Sequence, residues 1–242
     1  MHLKSRLEFV VSLKSMKNNL SLQKNSHYLL TLFTALAAVL FSLQVAQKGI
    51  LWGEIGMSKW MYENTPSFID FLGDVIDAPI TDIGAPLLFI GISTLVYWRW
   101  GRYATVGILL AGSMTGLTRL SDVVERSGPN KDFIYNESKY YFGEGGYPSG
   151  HIVYAVMIFG MLAYLSRDHS SPRISRVVKS FMVFLILLNI WTRISGLHHW
   201  PADVAGGILM SLPALMVVIW IYHSVPSMLQ KTPRLHALVF KN

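Results

Sequence analysis

Between Tyr28 and Ala46 the chain carries no charged side chain, and neither do Tyr103 to Thr118, Ile152 to Leu165, Ser180 to Thr192 or Val204 to Tyr222. A sixth run, Pro79 to Trp98, is interrupted only by Asp82. These runs limit what the chain can become more than any motif does. Lipid offers no partner for a backbone N–H or C=O, so a buried apolar segment must close its own hydrogen bonds in a helix or a closed barrel. The runs are continuous rather than alternating in polarity, which selects helices. Hydrophobic residues make up 52% of the chain and charged ones 14%, against roughly 25% charged in soluble domains. The expected fold class is therefore all-α: an integral membrane bundle of six transmembrane helices.

The runs Ile152 to Leu165 and Ser180 to Thr192 are shorter than the ~20 residues that a span needs. They reach that length only by taking in Ser149 to His151 and Lys179, with the lysine stem lying along the helix and its head in water. Five spans with one re-entrant segment is the alternative. The first run is longer than the apolar core of a signal peptide and lacks a small-residue cleavage pattern after Ala46, so it reads as a retained helix. Residues 48–78 interleave Trp52, Trp60, Tyr62, Phe68 and Phe71 with Glu54, Glu63, Asp70, Asp74 and Asp77. Two readings fit: amphipathic helices at the membrane interface, between helices one and two, or a structured loop packed on the bundle. The organisation expected is a tail (1–26), a first helix with its outer interfacial segment (27–78), a core (79–222) and a second tail (223–242).

Charge sorts the loops. With the N-terminus inside, the inner segments hold Lys4, Arg6, Lys14, Lys17, Lys24, Arg99, Arg102, Arg167, Arg173, Arg176, Lys179, Lys231, Arg234 and Lys241, fourteen of the 21 basic residues. Of the acids, only Glu8 and Asp168 join them. The positive-inside rule then places both termini in the cytoplasm. The net charge of +7 follows from this sorting and does not call for nucleic acid. Connections 48–78, 119–149 and 193–203 fall together on the outer face.

Two of those connections carry the polar residues that a membrane bundle rarely keeps without use: Arg119 and Arg126, then His151, then Arg193, His199 and Asp203. Gly145-Gly146-Tyr147-Pro148-Ser149-Gly150-His151 ends a polar loop and opens an apolar run. Ser149 is an N-cap residue whose side-chain oxygen suits a first-turn N–H. Such a helix start, with Gly150 in its first turn, is an anion site. Three guanidinium forks suit phosphoryl oxygens. Asp203, four residues after His199, can accept from one ring nitrogen and leave the other nucleophilic. His151 is placed to move a proton. Pro201 suits the first turn of the last helix. His198 breaks the spacing and reads as structural or substrate-facing. The absence of cysteine excludes a disulfide framework, a thiolate metal site and a cysteine nucleophile.

Arg119-x6-Arg126, Tyr147-Pro148-Ser149-Gly150-His151 and Arg193-x5-His199-x3-Asp203 resemble the three-part signature of the type-2 phosphatidic acid phosphatase superfamily. The resemblance covers roughly residues 79–222. The second and third motifs match closely. The first has arginine at 119 where the family has lysine, and Ser127 and Gly128 before Pro129. The resemblance implies that His199 attacks phosphorus and becomes a phosphohistidine, that Asp203 orients it, and that His151 protonates the leaving group and then activates water. Arg119, Arg126, Arg193, Ser149 and Gly150 would hold the phosphoryl oxygens.

The function expected is a metal-independent, cofactor-free membrane lipid phosphatase. Its partners would be membrane lipids and a phosphorylated lipid substrate of the polyprenyl pyrophosphate, phosphatidate or phosphatidylglycerophosphate class. The alternatives are a lipid A phosphatase or phosphotransferase using the same site, and a non-catalytic lipid-binding or transport protein. The expected location is a bacterial cytoplasmic membrane, with the site facing the periplasm or outside.

Overall fold

A computed structural model describes residues 26–77, 83–116, 124, 126, 128–129, 134, 146–230, 237 and 239. The expected first tail lies outside them but for Ser26, as do Asp82 and Arg119, whereas residues 223–229 of the expected second tail continue the last helix. Among the described residues all regular structure is helical: α1 (Ser26–Lys48), α2 (Glu54–Asn64), α3 (Ser67–Asp77), α4 (Gly84–Ser113), α5 (Gly150–His169), α6 (Pro172–Ser195) and α7 (Pro201–Leu229). Four of these, α1, α5, α6 and α7, are long and apolar enough to cross a membrane.

The central helix is α5. Of its apolar stretch 61% is buried within the protein, against 11% for α1. Ile152, Val153, Ala155, Met157, Ile158, Met161 and Leu165 have no exposure at all. α4, α6 and α7 pack around it, and α1 turns Leu29, Leu32 and Phe33 outward, as a lipid-facing helix does.

The basic turn expected at Arg99 to Arg102 is made by Gly101, at φ 86° and ψ −179°. That positive φ favours glycine, which has no Cβ to clash. It splits α4 into two arms, 84–100 and 102–113. The arms face each other: a side chain at Gly112 would run into the ring of Phe89. The second arm is tied to α7 by Tyr103, which stacks on Tyr222 at 4.3 Å and donates to its carbonyl oxygen at 2.8 Å.

The expected loop 167–179 shrinks to Ser170 and Ser171. Ser171 accepts a hydrogen bond from Ile174 N–H at 3.4 Å, with Pro172 at the first helical position, a cap that starts α6 early. Arg173, Arg176 and Lys179 therefore sit in helix. α5 and α6 reach 20 and 24 residues, so the short runs are long enough once their polar ends are counted.

Residues 48–77 combine the two expectations for that segment. They form two helices, and these pack on the bundle, α2 against α6 and α7 and α3 against α6. Gly73 of α3 lies flush on Thr192, whose Cβ is 2.8 Å from where a glycine Cβ would stand. Trp191 donates to Thr65 Oγ1 at 2.9 Å. Trp52, Trp60, Phe68 and Phe71 remain exposed, on the outer side of a unit whose inner side carries Glu54, Ser58 and Met61.

Candidate active site

The starts of α5 and α7 abut. Ser149 N–H, just before α5, donates to the carbonyl of Asp203 in the first turn of α7 at 3.1 Å. Gly207 of α7 approaches the same place closely: a Cβ there would lie 3.1 Å from the Ser149 carbonyl oxygen. Two helix starts thus meet in one region, with the positive ends of their dipoles close together.

The turn before α5 is anchored by Tyr147, which follows Gly146 and precedes a cis bond to Pro148. Its side chain is fully buried, packed with Val45 and Ala202, and its hydroxyl pairs with Ser42 Oγ at 2.8 Å. Burial raises the pKa of Tyr147, with the Ser42 hydrogen bond opposing, so the phenol stays neutral. Ser149 occupies the N-cap position as expected but not in the expected way. Its hydroxyl caps nothing; only its carbonyl enters the helix, accepting from Val153 N–H at 3.0 Å. The hydroxyl is fully buried and has no partner among the described residues. A buried hydroxyl needs a partner, and an oxygen-rich anion at the helix start would supply one. Gly150 opens α5 and His151 follows it, partly buried.

The turn after α6 carries the third motif. The Arg193 carbonyl accepts from His198 N–H at 3.2 Å and His199 N–H at 3.0 Å, and Leu197 takes φ 54°. This hook folds His199 back over the end of α6. Arg193 itself is 5% exposed. Asp74 of α3 lies within electrostatic reach of Arg193 and His198. Burial, then the Arg193 and His199 charges, lower the pKa of His198, and Asp74 opposes them. His198 keeps an exposed edge, where solvent screens part of this effect.

The link between His199 and Asp203 differs from the expected one. His199 Nδ1 lies 3.0 Å from the carbonyl oxygen of Gly146 and 3.7 Å from Asp203 Oδ2, beyond a hydrogen bond. A carbonyl only accepts, so Nδ1 carries the proton and Nε2 keeps its lone pair. Asp203 is engaged elsewhere. Its Oδ2 accepts from Trp200 N–H at 2.8 Å, the backward reach of an acid at the third helical position. Its Oδ1 accepts from Arg126 Nη1 at 2.6 Å.

Arg126 was expected to face phosphate. Its side chain is instead wholly buried between Asp203 and Glu54, with the Trp200 ring 6.0 Å away. Glu54 is the residue that sequence reasoning missed. It stands in a row of similar acids, and nothing local marks it as the one that turns inward. The structure therefore brings together Arg126, Ser149, Gly150, His151, Arg193, His199 and Asp203.

The model of the PAP2 superfamily matches residues 100–227. No curated protein sequence matches the chain. Among solved structures, a transmembrane PAP2-type phosphatidylglycerolphosphate phosphatase from Bacillus subtilis is similar, with a TM-score of 0.63 and 17% identity over 80% of this chain and 98% of that one. At this identity the likeness is one of fold.

Proposed function

The chain belongs to the PAP2 superfamily, and on that premise we propose that it is an integral membrane phosphatase acting on a phosphorylated lipid. The observation that carries the reading is the state of His199: with Nδ1–H held by the Gly146 carbonyl at 3.0 Å, Nε2 is the nucleophilic nitrogen. Nε2 attacks phosphorus and the bond from phosphorus to the lipid oxygen breaks. His151 gives that oxygen its proton. A water then attacks the phosphohistidine, passing a proton to His151, and inorganic phosphate leaves. Arg193, the Ser149 hydroxyl, the Gly150 end of α5 and Arg119 hold the phosphoryl oxygens. Asp203 supports His199 electrostatically from 3.7 Å, and Arg126 holds Asp203 rather than phosphate.

The two arms of α4 count as two spans in this reading, which gives six with α1, α5, α6 and α7. The sorted charges put both termini in the cytoplasm and the site at the outer face. There a substrate keeps its tail in the bilayer while its phosphate reaches His199. Phosphatidylglycerophosphate, the substrate in the Bacillus protein's name, belongs first in a test panel, followed by phosphatidate and polyprenyl pyrophosphate. The test is phosphate release by purified protein in mixed micelles, without an added acceptor. Wild type is expected to release phosphate from at least one lipid, and His199→Ala to lose at least about 10³-fold in kcat. A folded His199→Ala variant that keeps substantial activity would overturn the mechanism.

A further inference from the structure

We propose that Glu54 is a positioning residue for the reaction: from the segment between α1 and α4 it fixes Arg126, and through Arg126 it fixes His199. The proposal rests on the phosphatase reading above. Glu54 opens α2 directly after Gly53, which takes φ 86°, and is 4% exposed. Three donors converge on it. Oε1 accepts from Ala202 N–H at 2.8 Å, and Oε2 accepts from Leu51 N–H at 2.6 Å and from Arg126 Nη2. Ala202 is the second residue of α7, whose N–H has no acceptor inside its own helix. Glu54 therefore caps the catalytic helix from another part of the chain.

Arg126 then reaches His199 by two routes. One runs through Nη1 to Asp203 Oδ1 at 2.6 Å, with Asp203 Oδ2 3.7 Å from His199 Nδ1. The other runs through the backbone: the Arg126 carbonyl accepts from Gly146 N–H at 2.9 Å, and the Gly146 carbonyl is the acceptor of His199 Nδ1 at 3.0 Å. Both routes depend on where Arg126 sits. Side-chain exposure is 0% for Arg126, 5% for Glu54 and 0% for Asp203. Two carboxylates this deeply buried need the cation between them to offset their charge. Glu54 thus makes Arg126 a bridge, and the bridge sets the distance between the His199 ring and its acceptor. Arg193 and His198 flank the same turn. Both lie within electrostatic reach of Asp74 of α3.

The test uses the full chain in mixed micelles with a lipid phosphate that wild type hydrolyses. Glu54→Gln keeps the shape and removes the charge. It is expected to lower kcat about tenfold to a hundredfold while KM stays within about twofold, because Glu54 touches no substrate. Glu54→Asp keeps the charge and is expected to regain at least about a third of the lost rate. Arg126→Met leaves two unpaired buried carboxylates and is expected to be worse than either. Adding Glu54→Gln to it removes one of them, so the double variant is expected to be about threefold or more faster than Arg126→Met alone and to melt higher. This reversal of sign separates action through Arg126 from a general packing role. Unchanged kcat in Glu54→Gln, an effect on KM alone, or a double variant no better than Arg126→Met would overturn the proposal. Tighter phosphate binding by Glu54→Gln would also overturn it, since Arg126 would then be a phosphate ligand that Glu54 occludes. A wild-type protein inert on every lipid phosphate would overturn the phosphatase reading instead. The order of melting points, read without substrate, would still decide whether Glu54 and Arg126 act as a pair.

Discussion

Replacing Gly206 with alanine tests the geometry of the site with a single methyl group. Gly206 lies on α7 against the ring of Tyr147. A Cβ there would stand 2.5 Å from Cζ and 2.6 Å from Oη, where ordinary contact begins at 3.4 Å. Cε2 of the ring is nearer still, so the ring must retreat by about 1 Å in a closely packed interior. It has nowhere to go, being fully buried against Val45 and Ala202 and tied at its hydroxyl to Ser42. Overpacking of this kind costs about 1–3 kcal/mol, and a rigid aromatic neighbour puts Gly206→Ala at the upper end. Tyr147 is bonded to Gly146, the acceptor of His199, so the displacement passes into the site, where a ~1 Å error costs up to about 10²-fold in rate. The assays are thermal unfolding in detergent, followed by tryptophan fluorescence, and phosphate release. Gly91→Ala is the control, because no atom lies within 4 Å of its missing Cβ. It is expected to be neutral or stabilising by up to about 1 kcal/mol. Tyr147→Leu, introduced into Gly206→Ala, is expected to return part of the lost stability. Wild-type melting and turnover in Gly206→Ala would refute the flush packing of α7 on Tyr147, and with it the route from that ring to His199.

His198 gives a pH prediction. Its pKa is lowered from 6.5 in the folded protein, first by burial and then by Arg193 and His199. The unfolded chain therefore binds the proton more readily. The stability involved is fully present above pH 6.5 and is lost as pH falls below it, so the melting point is expected to drop on acidification to about pH 5, and to drop less in His198→Asn. Orthovanadate, which mimics five-coordinate phosphorus, is expected to inhibit phosphate release, and a chelator is expected to leave it unchanged. Strong loss of activity with the chelator would require a metal in the mechanism.

The helices were legible in the sequence because lipid burial demands uninterrupted apolar runs. Their ends were less so. Arg173, Arg176 and Lys179 looked like loop, yet Ser171 and Pro172 start α6 ahead of them. Hydropathy reports which residues sit in lipid, whereas the hydrogen bonds of a helix run on past that boundary. The nearness of His199 to Asp203 was legible from spacing, since four residues around a helix start bring two side chains near each other. Which acceptor His199 takes was not, because Gly146 offers a backbone carbonyl 53 positions away and leaves no side-chain signature. Arg126 stood out in the sequence as a candidate phosphate ligand, but not as an arginine held between two carboxylates. Glu54 had no signal at all, because its meaning depends on a loop and a helix far along the chain.

The bond from Ala202 N–H to Glu54 closes over 148 positions. A ribosome adds about 5–20 residues each second, so roughly 7 to 30 s separate the synthesis of the acceptor from that of its donor. During that interval α1 and α2 have left the ribosome, while the helix that Glu54 caps does not yet exist. Arg126 appears about midway and, after Leu51 in its own turn, is the next partner that Glu54 can meet. The order of translation thus favours assembly of the outer unit on the Arg126 loop first, with the last long helix docking onto a carboxylate already in place. A chain stopped before His199 would hold that carboxylate and its arginine ready, with His199 and Asp203 absent, and so could not act on lipid before the bundle is complete.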